Sequence, residues 1–494
     1  MPSNPRQTLS GTSPPHWTAG ARMDSSITLP LWLFVLLALL SLLLILDRIL
    51  IPSVRWYLRR RVNRVISEIN TRLEIQIRPF QLTRRQQLID QLVFDDKVSD
   101  AVQAYARENN MPLEVAQDIV RKYAHETVPS FNAYIYFRFG YWLAKRIARL
   151  VYRVRVGFYD NEQLAGISPD ASVVFVMNHR SNMDYLLVSF LVAEKTTLSY
   201  AVGEWARIWP LQSLIRAMGA FFVKRNSGNP LYRRVLERYV HMATRAGVCQ
   251  AVFLEGGLSR DGLMREPRLG FLDYMLRDYH PENDRDIVFV PVGINYDRVI
   301  EDRTLQRALD RDAKKRSLWF VLKTTLRFIA RNLLLSRRDR WRRFGYASVN
   351  FSQPLSAREY CRQQGIEFSR LGHDERFIEV GKLAERLTQD IKRVIPVLPV
   401  ALMARIVLRS RADWCSALEL KTRALAEIAR LRESGAPVGI SANACESVLS
   451  GALHTLLARG LLQEDNGLLR ASPEDVALLS YYANSIATWD AAED

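Results

Sequence analysis

The sequence predicts an α/β protein: a mixed, mostly parallel sheet flanked by helices over residues 151–400, with further helical regions before and after it. Three observations carry this expectation. Short runs rich in Val, Ile and Phe recur from about Arg153 onward, as "VYRVRVGF", "SVVFVM", "AFFVK", "QAVFLE" and "DIVFVPVGI". Longer helical patterns separate them, such as Leu231 to Ala246 and Leu269 to Arg277. Strands alternating with helices favour parallel pairing, because a crossover helix returns the chain to the same end of the sheet. Finally, 494 residues at 48% hydrophobic and 24% charged suffice for a sizeable core and two or three domains.

Read in order, residues 1–26 are rich in Ser, Pro and Thr and are expected to be an unstructured lead-in. Residues 27–50 contain "LPLWLFVLLALLSLLLIL", Leu29 to Leu46, eighteen residues without a charge. That length nearly spans a hydrocarbon core of roughly 30 Å, so a transmembrane or membrane-anchoring helix is expected, with a buried core helix as the other reading. A secretory signal would carry its charge in front. Here Arg48, Arg55, Arg59, Arg60, Arg61 and Arg64 follow the run, and only Arg6 and Arg22 precede it. The bias places everything after residue 47 on the cytoplasmic face of the cell inner membrane. Residues 55–150 read as a helical region, with apolar positions three and four apart in "DDKVSDAVQAYARENN" and "LEVAQDIVRKYAHE" and a turn at Asn110 to Pro112. Beyond the sheet, Lys314 to Phe344 mixes Arg and Lys with Trp, Phe and Leu; it reads either as an interfacial membrane helix or as a packed helix with a solvated basic face. Pro396 and Pro399 mark a boundary, and 401–494 is expected to be a helix-rich C-terminal domain.

The net charge of +17 calls for an anionic partner. The basic residues are not interleaved in any recognised nucleic-acid module, so no nucleic-acid partner is expected. Cys249, Cys361, Cys415 and Cys445 form no C-x-x-C pair and no Cys/His cluster, so neither a disulfide framework nor a metal site is expected.

Four stretches carry the chemistry. In "VVFVMNHRSNMDYLLVSF" a strand-like run ends at His179, and Asp184 follows five residues later. Ser181 to Asp184 fits the S-x-x-[DE] start of a helix. His179 then lies in the loop before that helix, where Asp184 can reach back to an imidazole nitrogen and fix its tautomer, besides capping. In "GAFFVKR" a strand opens onto Lys224 and Arg225, two cations that suit a phosphate or else a solvated strand end. In "AVFLEGGLSRDG" a strand meets Glu255, Gly256 and Gly257, then Ser259 and Arg260; the glycines allow close approach to a ligand, or simply a tight turn. In "IVFVPVGINYDRV" Pro291 sits inside a long buried strand, implying an edge or a bulge, and suits either an acyl-chain wall or ordinary core.

Taken in this order, the four stretches resemble the glycerolipid acyltransferase superfamily, with its H-x-x-x-x-D, G-x-x-F-x-x-R and F-x-E-G blocks and a proline-bearing strand. "HRSNMDYLL", "GAFFVKR" and the E-G-G block are most similar to bacterial glycerol-3-phosphate acyltransferases. "GNPLYRRVLERYV" and the terminal "LLSYYANSIATW" add to the likeness, which is strongest over about 170–300. The resemblance implies the glycerolipid acyltransferase fold and acyl transfer from an acyl-CoA or acyl-ACP thioester to the sn-1 hydroxyl of glycerol 3-phosphate. It implies membrane lipids as neighbours and no cofactor. His179 would be the general base and Asp184 its orienting carboxylate. Lys224, Arg225, Glu255, Gly256, Ser259 and Arg260 would bind the acceptor phosphate. Two departures stand out: the branch usually has a second histidine where this chain has Asn182, and an arginine where it has Leu258. They leave the reaction type in place and open the acceptor to 1-acyl-glycerol 3-phosphate or dihydroxyacetone phosphate. A membrane-anchored, non-catalytic lipid-binding protein is the reading from another class. The sequence is silent on acyl-chain length, on the choice of donor and on oligomeric state.

Overall fold

In the computed structural model the described residues are 30–45, 78–157, 166–192, 196–203, 211–224, 227–307, 344–410 and 413–490. The chain divides into two compact units, 1–64 and 65–494. The expected lead-in at 1–26, the segment 55–77 and the basic stretch 314–343 lie outside the described residues.

In the first unit, α1 (Leu31–Ile45) is fifteen uncharged residues. At about 1.5 Å per residue it measures roughly 22 Å, short of a hydrocarbon core of roughly 30 Å. Among the described residues no helix is long and apolar enough to cross a membrane. The span expected over 27–50 is met only in part, because residues 27–29 and 46–50 lie outside the described ones.

The second unit opens with α2 (Arg85–Val93), α3 (Asp96–Glu108) and α4 (Leu113–Thr127). Asp95 caps α3 by accepting from the Lys97 and Val98 amides. A short π-helix, Ile135–Gly140, leads into α5 (Tyr141–Val151) and β1 (Arg153–Val156). The central elements are β2 (Ser172–Met177), α6 (Met183–Val192), β3 (Ser199–Gly203), β4 (Phe221–Val223), α7 (Pro230–Arg245), β5 (Gln250–Phe253) and β6 (Ile287–Tyr296). After these come β7 (Tyr346–Phe351), β8 (Leu355–Ser356), α8 (His373–Val394) and α9 (Pro399–Arg409). A small antiparallel sheet of β9 (Cys415–Ser416), β10 (Leu462–Asp465) and β11 (Leu468–Ala471) precedes α10 (Val476–Asn484).

The main sheet has eight strands in the order β1-β7-β6-β2-β5-β3-β4, with β8 also paired to β6. Neighbours from β6 to β4 are all parallel, while β7 and β8 run antiparallel to β6. All six residues of β2 and all ten of β6 are buried, as strands covered on both faces require. Alternation sorts their side chains. Val173, Phe175 and Met177 join a core with α5, α6 and α9, while Val174 and Val176 join another with α2, α3, α4, α7 and α8.

Of the edge or bulge expected at Pro291, the edge is not found. The proline lies in a central strand, level with Val176 of β2. Its carbonyl accepts from the Ser352 amide at 2.7 Å, on the side where its own N–H would point. There β7 has ended at Phe351 and β8 starts at Leu355, so the missing donor falls in a gap between partners.

Candidate active site

Parallel strands β2, β5, β3 and β4 end on one edge of the sheet, where a doubly covered sheet presents its ligand sites. His179 leaves β2 at this edge and Glu255 leaves β5 beside it. The loop between β2 and α6 is fixed from three directions. The Asn178 side chain exchanges two hydrogen bonds with the Ile294 backbone of β6, donating at 2.9 Å and accepting at 2.7 Å. Glu255 accepts from the His179 amide at 2.8 Å, and the Ser259 amide donates to the His179 carbonyl at 2.9 Å. At the start of α6, the Ser181 amide donates to Asp184 at 3.1 Å and its hydroxyl accepts from the Met183 amide.

The imidazole itself is buried, 1% exposed. It lies against the Phe253 ring at 3.9 Å and meets Tyr185 edge-on at 5.6 Å. Its Nδ1 is 2.9 Å from Asp184 Oδ2. A carboxylate accepts, so Nδ1 carries the proton and Nε2 is left with a lone pair. Nε2 is buried and has no hydrogen-bond partner among the described residues. A buried polar atom without a partner costs about 1–3 kcal/mol, and such costs concentrate at functional sites.

Asp184 is fully buried and saturated with donors. Besides the imidazole, its Oδ2 accepts the Arg180 and Ser181 amides at 2.8 and 3.1 Å, and its Oδ1 accepts the Tyr296 hydroxyl at 2.6 Å. Burial pushes the Tyr296 phenol well above its ordinary pKa, and the Asp184 charge adds to this, so the hydroxyl stays a donor. Glu301 accepts from the Ser181 hydroxyl at 2.7 Å and from the Asn182 side-chain amide at 3.1 Å. Burial raises its pKa, and the Ser181 and Asn182 hydrogen bonds oppose that rise. Asn182, at one of the two departures, thus anchors to a half-buried acid beside the dyad.

The predicted phosphate ligands divide. Glu255 is buried, and its second oxygen accepts the Arg265 amide at 3.0 Å; burial raises its pKa against the Arg180 charge and these two amides. Both of its oxygens are engaged in holding the loop. Ser259 is buried, with its hydroxyl donating to the Leu263 carbonyl at 2.7 Å and accepting the Gly262 amide. Gly256 has φ +63°, a conformation that favours glycine, and is exposed. Arg260 is exposed on the same loop. Lys224 directly follows β4 at the same edge, three strands and roughly 14 Å from β2 at the usual strand spacing. Its ammonium pairs with Glu126 at 2.7 Å and lies over the Tyr123 and Tyr232 rings. Arg225 lies outside the described residues. Pro291 shares the face of Ile287 and Phe289, opposite to the one that carries Tyr296, so β6 does not bring it to the imidazole. Among the described residues no group of His, Cys, Asp and Glu could hold a metal ion.

The sequence reading missed Asn178, Arg180, Tyr296 and Glu301, and also the C-terminal helix. Arg180 is buried and reaches the Gly262 and Ser485 carbonyls. Asn295 donates to the Ser485 hydroxyl at 3.1 Å, and Asn484 donates to the Asp261 carbonyl at 2.9 Å. At Gly262, φ is +88° and a Cβ would stand 1.9 Å from the Tyr481 carbonyl, so only glycine fits where α10 meets the E-G-G loop. Polar residues closing a buried strand, as in "INYDRV", were the available signal.

Comparison with known proteins agrees with this geometry. Residues 155–295 match the family described as Acyltransferase, and residues 330–491 match the family described as Glycerol-3-phosphate acyltransferase C-terminal region. A glycerol-3-phosphate acyltransferase of Ectopseudomonas mendocina is 31% identical over 70% of this chain and 41% of its own length. One from Xanthomonas campestris is 27% identical over 86% of this chain and 48% of its own. The chain thus spans a little under half the length of these curated relatives. Among solved structures, the 1-acyl-sn-glycerophosphate acyltransferase of Thermotoga maritima is 18% identical, with a TM-score of 0.29 over 52% of this chain and 78% of that one. The chain is thus similar to acyltransferases over 155–295, to the glycerol-3-phosphate acyltransferase C-terminal region over 330–491, and to part of the length of bacterial glycerol-3-phosphate acyltransferases.

Proposed function

We propose that this protein transfers a fatty acyl group from an acyl-CoA or acyl-ACP thioester to the sn-1 hydroxyl of glycerol 3-phosphate, the first step of phospholipid synthesis. The observation that carries the reading is the unpartnered Nε2 of His179, with Nδ1 held by Asp184 at the open end of a parallel sheet. Nε2 accepts the proton of the acceptor hydroxyl as its oxygen bonds to the thioester carbon. The tetrahedral adduct then collapses, the carbon–sulfur bond breaks, and the imidazolium returns the proton to the leaving thiolate. One base and a positioned thioester suffice, with no acyl-enzyme and no cofactor. Lys224, Arg225 and Arg260 supply charge for the acceptor phosphate, with Gly256 giving close approach.

Action at the cytoplasmic face of the inner membrane is part of the same reading. It is supported by the apolar α1 and by an outward stripe along the π-helix and α5. There Tyr134, Phe139 and Trp142 are exposed among Arg138, Arg146 and Arg149, and no acidic residue occurs between Glu126 and Asp160.

A second acceptor is kept open by Leu258, which packs into the core where the branch usually carries an arginine. The test is acyl transfer from labelled palmitoyl-CoA by the purified chain in detergent, with glycerol 3-phosphate, 1-acyl-glycerol 3-phosphate and dihydroxyacetone phosphate offered separately. Turnover with glycerol 3-phosphate supports the reading. Turnover only with another acceptor moves the branch and keeps the His179–Asp184 chemistry, and lipid binding without turnover on any of them overturns it.

A further inference from the structure

We propose that Tyr296 is a third member of the proton-handling unit, a positioning residue whose hydroxyl sets the proton affinity of the His179–Asp184 pair. The inference rests on the acyltransferase reading for its kinetic readout and on geometry for its substance. Asp184 Oδ2 already serves the imidazole and two amides, so among the described residues the charge left on Oδ1 meets a single donor, Tyr296 Oη at 2.6 Å. A hydrogen bond to a carboxylate draws charge from it and weakens its hold on an adjacent imidazolium. A base must be neutral to accept a proton, so the tyrosine keeps the pair competent at lower pH than Asp184 alone would allow.

The position of the hydroxyl is well determined. Tyr296 ends the central strand β6, whose Ile294 also grips the Asn178 side chain. Carboxylate and loop are therefore referenced to one rigid strand. Its ring is buried against Tyr152 at 5.2 Å, and its amide donates to Asn295 Oδ1 at 2.9 Å. The other charged or titratable groups facing the pair are Glu255 beyond β5, Glu301 beyond β6, Arg180 in the same loop and Tyr185 on α6. Of these four, none donates a side-chain hydrogen bond to Asp184 Oδ1.

The experiment is the pH dependence of kcat/KM in the full chain for wild type, Tyr296→Phe and Tyr152→Phe, paired with an NMR titration of the His179 imidazole assigned through His179→Gln. In Tyr296→Phe the acidic limb and the imidazole titration both move up by about half to one pH unit. The activity deficit is then about tenfold near pH 6.5 and narrows to about twofold near pH 9, with KM for the acceptor little changed. Tyr152→Phe loses a buried hydroxyl bond to the Arg298 carbonyl without touching Asp184, and shows no shift. If Tyr296→Phe folds poorly, 3-fluorotyrosine at position 296, a stronger donor of the same shape, moves both readouts down instead. An equal loss at every pH, or an unmoved imidazole titration, overturns the proposal. A wild-type protein inactive on every acceptor removes the acyltransferase reading instead, and the titration still decides the role of Tyr296.

Discussion

Two histidine–carboxylate pairs in this protein differ in everything but their chemistry. His280 and Glu367 approach to 2.6 Å, closer than the 2.9 Å of His179 and Asp184. Yet the His280 and Glu367 side chains are 46% and 23% exposed, against 2% and 0% in the inner pair. At the surface, Ser369 also approaches the same imidazole nitrogen at 3.0 Å, and Arg370 pairs with the carboxylate at 2.8 Å. In the interior, backbone amides and a tyrosine fix the carboxylate, two strands fix the loop, and the second ring nitrogen is kept without a partner. Short distance alone does not make a base. Desolvation and fixed donors do, because they hold one tautomer in one place.

The comparison breaks hardest at His179. His179→Ala is expected to lower acyl transfer by about a thousandfold, since it removes the base whose Nε2 lone pair is left open among the described residues. Residual transfer within tenfold of wild type, measured with labelled palmitoyl-CoA, would remove the histidine from the mechanism. Asp184→Asn leaves the shape but turns a donor towards the imidazole and favours the wrong tautomer; a loss of about a hundredfold or more in kcat is expected. Unchanged kcat in that variant contradicts the assigned tautomer.

Smaller effects sharpen it. Glu255→Gln keeps one acceptor where two amides need one each, so a buried N–H is orphaned at a cost of about 1–3 kcal/mol in urea denaturation. A loss of about tenfold in kcat with KM for the acceptor held is expected to accompany it if Glu255 acts by positioning His179, whose amide it accepts. A KM rise alone would return Glu255 to the phosphate site.

Asp297 shows what burial does to a carboxylate with fewer donors. Among the described residues it accepts only the Val400 and Tyr346 amides, and burial pushes its pKa up to about 6. Its folded value lies above its ordinary 3.8, so its contribution to stability is full below that value and is lost as pH rises through about 6. Between pH 5 and 7 Asp297→Asn should flatten the pH slope of the urea midpoint by about 1–2 kcal/mol. An identical slope in the two proteins refutes this. The least effect belongs to His280→Ala. Transfer stays within twofold of wild type, and the Glu367 carboxyl, held below its ordinary value first by the His280 hydrogen bond, returns towards it. That small contribution is present above the ordinary glutamate pKa and fades as pH falls, so it is sought in acid and not at neutrality.

Much of the architecture was legible in advance. The runs "SVVFVM", "QAVFLE" and "DIVFVPVGI" became β2, β5 and β6, because uninterrupted apolar residues mark strands covered on both faces. The strands β3 and β7, "SYAVG" and "YASVNF", did not stand out, since small and polar residues dilute their pattern. His179 and Asp184 could be paired from spacing, because a helix start between them brings both to one turn. Glu255 and Ser259 were read as phosphate ligands because a motif reports residue types and not the direction in which they face. Only the fold showed the Glu255 carboxylate accepting the His179 amide and the Ser259 hydroxyl turned into its own loop, at Leu263 and Gly262.

By itself, then, the sequence determined the class of fold, the pairing of His179 with Asp184 and a family likeness, all properties of local pattern and short spacing. Tertiary structure decided which donors saturate Asp184, which oxygens remain for substrate and where the C-terminal helix rests. Tyr296 is 112 residues from Asp184, and Ser485 is 305 from Arg180. Contacts over such separations leave no periodicity in the chain. They exist because burial in a shared core forces polar groups to find partners wherever the packing brings them.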